Sequence, residues 1–178
     1  MIDFTERVAI PPKDQMNRNL SSASEATMIR VFGVPGALTS ECGHPEGPFA
    51  KKIVSAVNVG PFRVTGLASA VDDLKQIFSE IKLSDPDLFV AVRTEGMLCV
   101  RHRRHNPAHF SNHSWGAAID LYFGQGVVPQ GERITQRGNR SLAPYFEKYG
   151  WYWGAEFSGD SVDSMHFEMS EERVNKLR

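Results

Sequence analysis

The sequence predicts an α+β fold in a single domain, with a mainly antiparallel sheet flanked by helices. Its 178 residues are the length of one domain and are enough to bury a hydrophobic core. Segments with helical periodicity alternate along the chain with short segments of strand periodicity. Because the strands are short and their connections irregular, the pattern favours α+β over a doubly wound parallel sheet.

The composition excludes several classes of function. Hydrophobic residues make up 41% of the chain and charged residues 23%, as in an ordinary soluble protein. The net charge of -1 disfavours a general binder of nucleic acid or of anionic membranes. No run approaches the roughly 18 apolar residues that insert into a membrane. The N-terminus lacks a basic start followed by an apolar run, so no signal peptide is predicted. We expect cytoplasmic synthesis, and action on the cell wall would need release or export by another route.

The N-terminal part of the chain predicts an arm followed by a capped helix. Residues 1–20 are polar and interrupted by prolines, and we expect them to form an arm ahead of a domain over residues 21–178. Ser22–Glu25 matches a capping box, so a helix is predicted from there to Gly33, which suits its C-cap. The Gly- and Pro-rich residues 33–48 predict a long irregular loop.

The middle of the chain contains the clearest helix. Phe62–Thr65 predicts a short strand before it, Asp85-Pro86 ends it, and Leu88–Val92 predicts a short buried strand after it. Apolar residues recur at three- and four-residue steps and form one stripe: Leu67, Ala70, Val71, Leu74, Ile77, Phe78 and Ile81.

The C-terminal part predicts further strands and two helices. Ala118–Phe123 and Met165–Met169 both alternate between apolar and polar residues, as half-buried strands do. The remaining predicted elements are a helix over Ser141–Tyr149 that ends at Gly150, an aromatic strand over Trp151–Phe157, and a last short helix with Ser170 as its N-cap.

The two cysteines, Cys42 and Cys99, have no C-x-x-C spacing. Two cysteines are too few for a disulfide framework, and the spacing excludes a thiolate zinc site. Two buried free thiols are the expected state, and one disulfide is the alternative.

Possible metal ligands lie at His113, Asp120 and His166. Catalytic zinc takes three protein ligands, commonly imidazoles and a carboxylate, and keeps a fourth position open. Two ligands seven positions apart would point to opposite faces of an unbroken strand, so the chain must bend between them, and Gly116 allows the bend. The alternative is that all three are ordinary loop, strand-edge and core polar residues. Asp163, in a turn before His166, could take a proton from a water molecule that zinc acidifies.

Four segments give the chain a family resemblance. The pattern S-x-H-x-x-G-x-A-x-D over Ser111–Asp120 and the segment D-S-M-H-F-E over Asp163–Glu168 resemble the motifs of the zinc D-alanyl-D-alanine carboxypeptidases. That family also includes the L-alanyl-D-glutamate endopeptidases of phage endolysins. Gly96–Arg101 looks like its Gly-aromatic-x-Arg region, and Trp151–Gly154 resembles its aromatic-Trp-Gly stretch. The similarity covers about residues 60 to 170.

The resemblance implies a small α+β fold shared with the hedgehog signalling domain, and one zinc ion per chain. By position it makes His113, Asp120 and His166 the metal ligands and Asp163 the general base. It implies that Arg101 faces the substrate carbonyl or carboxylate. The base is a Glu in some members of the family and an Asp in others.

Other residues near the motifs are candidates for substrate contacts. Arg101 belongs to the basic run Arg101–His105, which is either a solvated loop or a site for substrate carboxylates. Arg93, Arg103 and Arg104 compete with it for the role of substrate arginine, and a Met replaces the family's aromatic residue after Gly96. Candidate substrate-binding residues are Ser111, Trp115 and Trp153, although each tryptophan also suits a core or a cleft wall. His102, His105 and His109 do not fit the ligand spacing, and His44, in a Gly- and Pro-rich loop, is interpreted as structural.

The predicted function is zinc-dependent hydrolysis of peptide bonds in peptidoglycan stem peptides, with Asp163 taking the proton of the attacking water. Carboxypeptidase and endopeptidase activity both remain open, as do a phage and a bacterial origin. The alternative is a non-catalytic zinc-stabilised binding or signalling module of the hedgehog-like fold. Asp163 separates the two, because a binding module has no need of an acid beside the metal. The expected partner is a peptidoglycan peptide and not a nucleic acid, and a monomer is favoured.

Overall fold

The computed structural model describes residues 2–177 and confirms the predicted α+β class with antiparallel sheets. The helices are α1 (Glu25–Phe32), α2 (Ala68–Ser84), α3 (Pro86–Ala91), α4 (Arg137–Lys148) and α5 (Glu171–Asn175). The strands are β1 (Arg7–Ala9), β2 (Ile53–Asn58), β3 (Arg63–Leu67), β4 (Val92–Gly96), β5 (His102–Arg103), β6 (Asn106–Phe110), β7 (Ala118–Phe123), β8 (Ile134–Gln136), β9 (Trp151–Trp153) and β10 (His166–Met169).

A four-stranded antiparallel sheet in the order β4–β7–β10–β9 forms the centre of the molecule. Its register places His166 directly opposite Asp120 and Phe167 opposite Ile119. Since successive side chains of a strand point to opposite faces, Ile119 and Phe167 enter the core while Asp120 and His166 share the other face. The predicted alternation of β7 and β10 is therefore confirmed.

Helices α2 and α4 pack against the apolar side of this sheet. The predicted stripe of α2 is confirmed, and its residues from Ala70 to Ile81 lie in the core. In α4, the Phe146 ring lies 4.5 Å from the Phe167 ring, measured between centroids. The buried carboxylate of Asp73 on α2 accepts hydrogen bonds from Trp151 Nε1 and from the Arg173 guanidinium. These contacts fix the back of the sheet whose opposite face carries the candidate site.

Two predictions about helix boundaries need correction. Helix α1 does end at Gly33, but its N-cap is Ser24, whose Oγ accepts from Thr27 N, and not Ser22. Leu88 lies in helix α3 and not in a strand, because Asp85 accepts from Leu88 N and Pro86 occupies the first helical turn. The strand begins only at Val92.

The predicted C-terminal elements are present with shifted ends. Helix α4 begins at Arg137, four residues before the predicted start at Ser141. The aromatic strand ends at Trp153 and a 3-10 helix follows over Gly154–Glu156. Helix α5 has Ser170 as its N-cap, as predicted. The sequence interpretation missed strand β2 and the hairpin formed by β5 and β6.

Cys42 and Cys99 form a disulfide, so the expectation of two free thiols is wrong. The bond fixes the Gly- and Pro-rich loop to the segment before β5, where Gly43 N also donates to Val100 O at 2.8 Å. This pairing joins residues 57 positions apart, so their spacing gave no sign of it.

Residues 2–20 lie against the rest of the protein. Strand β1 pairs with β8, and the side chain of Asn17 bonds to both the N–H and the carbonyl of Trp153. Within the described part of the chain, no helix is long and apolar enough to cross a membrane.

Candidate metal centre

Three different elements bring His113, Asp120 and His166 together. Asp120 lies on β7 and His166 on β10. The sequence pattern had suggested a strand at His113 as well, but His113 lies in a 3-10 helix over Asn112–Trp115. The predicted bend is present, because Gly116 ends this helix in the left-handed region at φ 59°. A Cβ there would lie 2.7 Å from Gly66 Cα on β3, so the turn also needs glycine for close packing.

The three candidate ligand atoms form an equilateral triangle. His113 Nε2, Asp120 Oδ1 and His166 Nδ1 are separated pairwise by 3.2 Å. In a tetrahedral zinc site with bonds of about 2.0–2.1 Å, neighbouring donors are about 3.3 Å apart. Among residues 2–177 this is the only group of three or more such side chains whose ligand atoms converge in this way. The donor set and its spacing therefore fit zinc.

The second nitrogen of His113 fixes which atom faces the centre. His113 Nδ1 lies 2.8 Å from the carbonyl oxygen of Met97. A carbonyl can only accept, so Nδ1 carries the hydrogen and Nε2 presents its lone pair to the centre.

Glu168 orients His166 through the opposite ring nitrogen, Nε2. Its Nε2 lies 2.7 Å from Glu168 Oε2, which leaves Nδ1 for the centre. Glu168 is only 3% exposed and accepts a second hydrogen bond, of 2.6 Å, from the Ser22 hydroxyl. The residue that the capping-box pattern assigned to α1 thus supports the carboxylate that orients a candidate ligand.

The electrostatics of the centre favour an ionised Asp120. Burial alone would raise the pKa of its carboxyl, but His113 and His166 hold that pKa far below the ordinary value. Burial alone would lower the pKa of His166, whereas its hydrogen bonds with Asp120 and Glu168 hold it well above the usual range. Two buried imidazoles and a carboxylate that converge without a metal must share protons. A divalent cation would replace those protons.

Asp163 lies beside this triangle, in the loop before β10. Its N–H donates to Gly154 O and its carbonyl accepts from His166 N. Its Oδ1 is buried and has no hydrogen-bond partner among the described residues. Burial, and secondarily the charge of Asp120, raises the pKa of Asp163 above its ordinary value. An unpaired buried carboxylate oxygen of this kind is costly unless a further group binds it.

The centre opens into a cleft of about 620 Å³ that is lined by the three candidate ligands and by Asp163. Of the four competing arginines, Arg101, Arg103 and Arg104 line the cleft. Arg93 does not: it is exposed, and its guanidinium donates to the carbonyls of Val90 and Val92.

The backbone of Arg101 is held firmly. Its N–H donates to Ser114 Oγ and its carbonyl accepts from the same hydroxyl. Its guanidinium donates to His102 O.

Of the three candidate substrate-binding residues, only Ser111 lines the cleft. Ser111 lines the cleft and its Oγ accepts from His113 N. Trp115 and Trp153 are 0% and 1% exposed and lie in the core, where their indole N–H groups donate to Gly33 O and Ser164 O. The structure therefore does not bring the two tryptophans to the cleft.

Several cleft residues carried no sequence signal. Val127, Val128 and Pro129 line the cleft from the loop between β7 and β8, and Phe157 lies with its ring 5.7 Å from that of His166. A short apolar pair in a loop has no periodicity, so only the tertiary structure reveals this wall.

Comparison with known families agrees with this site. Residues 104–169 match the family model described as D-alanyl-D-alanine carboxypeptidase, a little over a third of the chain. The matched segment contains His113, Asp120, Asp163 and His166. It begins at residue 104, so Arg101 lies outside it. Searches of curated proteins and of solved structures gave no match. The match confirms the resemblance to the zinc D-alanyl-D-alanine carboxypeptidase family and indicates a peptidase.

Proposed function

Given that residues 104–169 match a peptidase family, we propose that this protein is a zinc peptidase that cleaves peptidoglycan stem peptides. The cleavage is of the D-Ala-D-Ala carboxypeptidase type or the L-Ala-D-Glu endopeptidase type. The observation that carries the proposal is the triangle of candidate ligands with 3.2 Å edges beside the unpaired Oδ1 of Asp163, in the lining of an open cleft.

His113, Asp120 and His166 would hold one zinc ion per chain. When bound, zinc supplies a Lewis acid that polarises a carbonyl oxygen and acidifies water. The hydrogen bonds to Met97 O and Glu168 keep the two imidazoles in the tautomers that coordination needs.

Asp163 is the proposed general base. Its buried, unpaired Oδ1 can accept the proton of the attacking water without displacing a ligand. The same carboxyl group then returns the proton to the leaving amine. Arg101, in the cleft lining, would polarise the scissile carbonyl or bind a substrate carboxylate through its planar guanidinium.

A pair of carboxylate-to-amide variants tests this assignment. Asp163→Asn should retain zinc and lose hydrolysis by about 10²–10⁴-fold, the usual contribution of an acid–base group. Asp120→Asn should instead bind zinc more weakly, because it removes a charged ligand. Both are measured by metal analysis and by mass spectrometry of products from cross-linked peptidoglycan and from free muropeptides. Undiminished hydrolysis by Asp163→Asn would refute the general-base role.

The same assay decides between an enzyme and a binding module. A zinc-loaded parent protein that cleaves none of these peptides would replace the peptidase with the non-catalytic module of the hedgehog-like fold. Product masses from an active parent would also assign the scissile bond.

A further inference from the structure

One side of the cleft is strongly cationic. Arg101, Arg103, Arg104 and His105 all line it, and we call these four residues the basic wall. Arg104 and His105 form the turn of the hairpin of β5 and β6, so the hairpin tip carries two of the four.

Within residues 2–177, none of these arginines has a carboxylate partner in an ion pair. The Arg101 and Arg103 side chains donate only to backbone carbonyls, those of His102 and Phe110. Burial and the nearby charge of Arg104 lower the pKa of Arg101, and the charges of Asp120 and Asp163 oppose that shift. Among the described residues Arg103 and Arg104 form no ion pair, so an anionic ligand would relieve the repulsion between the like charges of the wall.

Another part of the cleft lining has a different character. Val127, Val128, Pro129 and Phe157 belong to it, and none of these residues carries a charge. A bound peptide would therefore place its carboxylates toward the basic wall and its apolar groups toward these residues.

The basic wall is also anchored at its base. The Glu25 carboxylate at the start of α1 accepts from Phe110 N at 2.5 Å and lies 3.2 Å from His109 Nδ1. Arg103 Nε donates to Phe110 O, so the guanidinium is fixed by the same strand end. Its two terminal amino groups remain for a ligand in the cleft.

We propose that Arg103 and Arg104 form a second carboxylate subsite, separate from the reacting centre and from Arg101. The preferred substrate is then an acidic peptide with a carboxylate beside the scissile bond or at the chain end, and a further side-chain or α-carboxylate toward the hairpin. Guanidinium groups suit this role because they bind carboxylates through two parallel hydrogen bonds. The inference rests on the proposed peptidase function.

Matched peptides provide the test. Two stem-type peptides share one scissile bond and differ only in a glutamate carboxylate or its carboxamide. We expect the parent protein to prefer the carboxylate peptide by about 10- to 100-fold in kcat/KM, as for a charge-assisted hydrogen bond. In Arg103→Gln/Arg104→Gln this preference should fall to near unity, because kcat/KM falls more for the carboxylate peptide than for the carboxamide peptide, while zinc content stays unchanged. Arg93→Gln is the matched control, because its guanidinium lies outside the cleft.

Direct binding separates failure of this inference from failure of the proposed function. Fluorescence titration of the zinc-loaded parent with both labelled peptides should show tighter binding of the carboxylate peptide, weakened by salt. That result in a protein without hydrolysis would keep the subsite and reject the peptidase. Equal binding of the two peptides by the parent, or an unchanged preference in the double variant, would overturn the subsite.

Discussion

The candidate metal centre and the basic wall lie in one cleft but are built in opposite ways. In the centre, the non-ligating nitrogens of His113 and His166 are both paired, with Met97 O and Glu168. In the wall, the side chains of Arg101 and Arg103 donate only to backbone carbonyls, and Arg104 has no ion-pair partner among the described residues. Two of the three candidate ligands lie on paired strands of the central sheet, whereas most of the wall lies on a two-stranded hairpin.

This difference separates two tasks. The register of β7 and β10 fixes Asp120 and His166 at the spacing that a metal requires, so a change there should affect binding of the metal itself. The wall offers charge without a fixed partner, so a change there should affect which substrate binds. The largest effects are expected in the centre and the smallest in the wall.

The largest expected effect is loss of the metal. The parent protein should contain one zinc per chain after purification without added metal, and His113→Ala or His166→Ala should lose it, because two remaining protein ligands bind zinc poorly. Metal analysis measures the occupancy, and circular dichroism controls for folding. Full zinc retention by both variants would contradict the ligand assignment.

An intermediate effect is expected at Glu168. Glu168→Gln keeps an acceptor for His166 but removes the charge that raises the basicity of the imidazole, so zinc affinity should fall by about tenfold, the lower end of the usual 10–100-fold range. Competition with a chromophoric chelator measures the affinity. Glu172→Gln is the control, since Glu172 bonds to Ser21 and not to a ligand. Equal affinities in the two variants would show that Glu168 does not support the metal.

The smallest effect is expected at Arg101. Arg101→Lys keeps the positive charge but loses the planar fork, so turnover should fall by roughly two- to fivefold with zinc occupancy intact. Steady-state hydrolysis and metal analysis measure the two quantities. Full activity of Arg101→Ala together with impaired Arg103→Ala or Arg104→Ala would assign the substrate guanidinium to another residue of the cleft.

Local sequence patterns were sufficient to predict the two strands that carry candidate ligands, but not the 3-10 helix that carries His113. The alternation in Ala118–Phe123 and Met165–Met169 gave both strands and their polar faces, and Gly116 gave the bend between the first two ligands. The stripe of α2 was equally clear, because seventeen residues contain several helical turns.

Elements that depend on distant partners were not predictable in the same way. Helix α3 has six residues, too few to separate a helix from a buried strand by periodicity. Ser22 bonds to Glu168, which lies 146 positions away. The residues around Ser22 therefore predicted only a local role, as a helix cap. Trp115 and Trp153 stood within family motifs, yet tertiary packing places both in the core.

The disulfide between Cys42 and Cys99 affects the free energy of unfolding of the domain that carries both regions of the cleft. Cys99 lies between Met97, whose carbonyl holds His113, and Arg101, the first residue of the basic wall. Its bond joins residues 57 positions apart, and the chain-entropy model gives about 4 kcal/mol for such a loop. In that model the free energy arises from the disorder denied to the unfolded ensemble and not from contacts in the native state. The population of molecules with an assembled cleft therefore depends on the redox state of the surroundings, although neither sulfur lines the cleft.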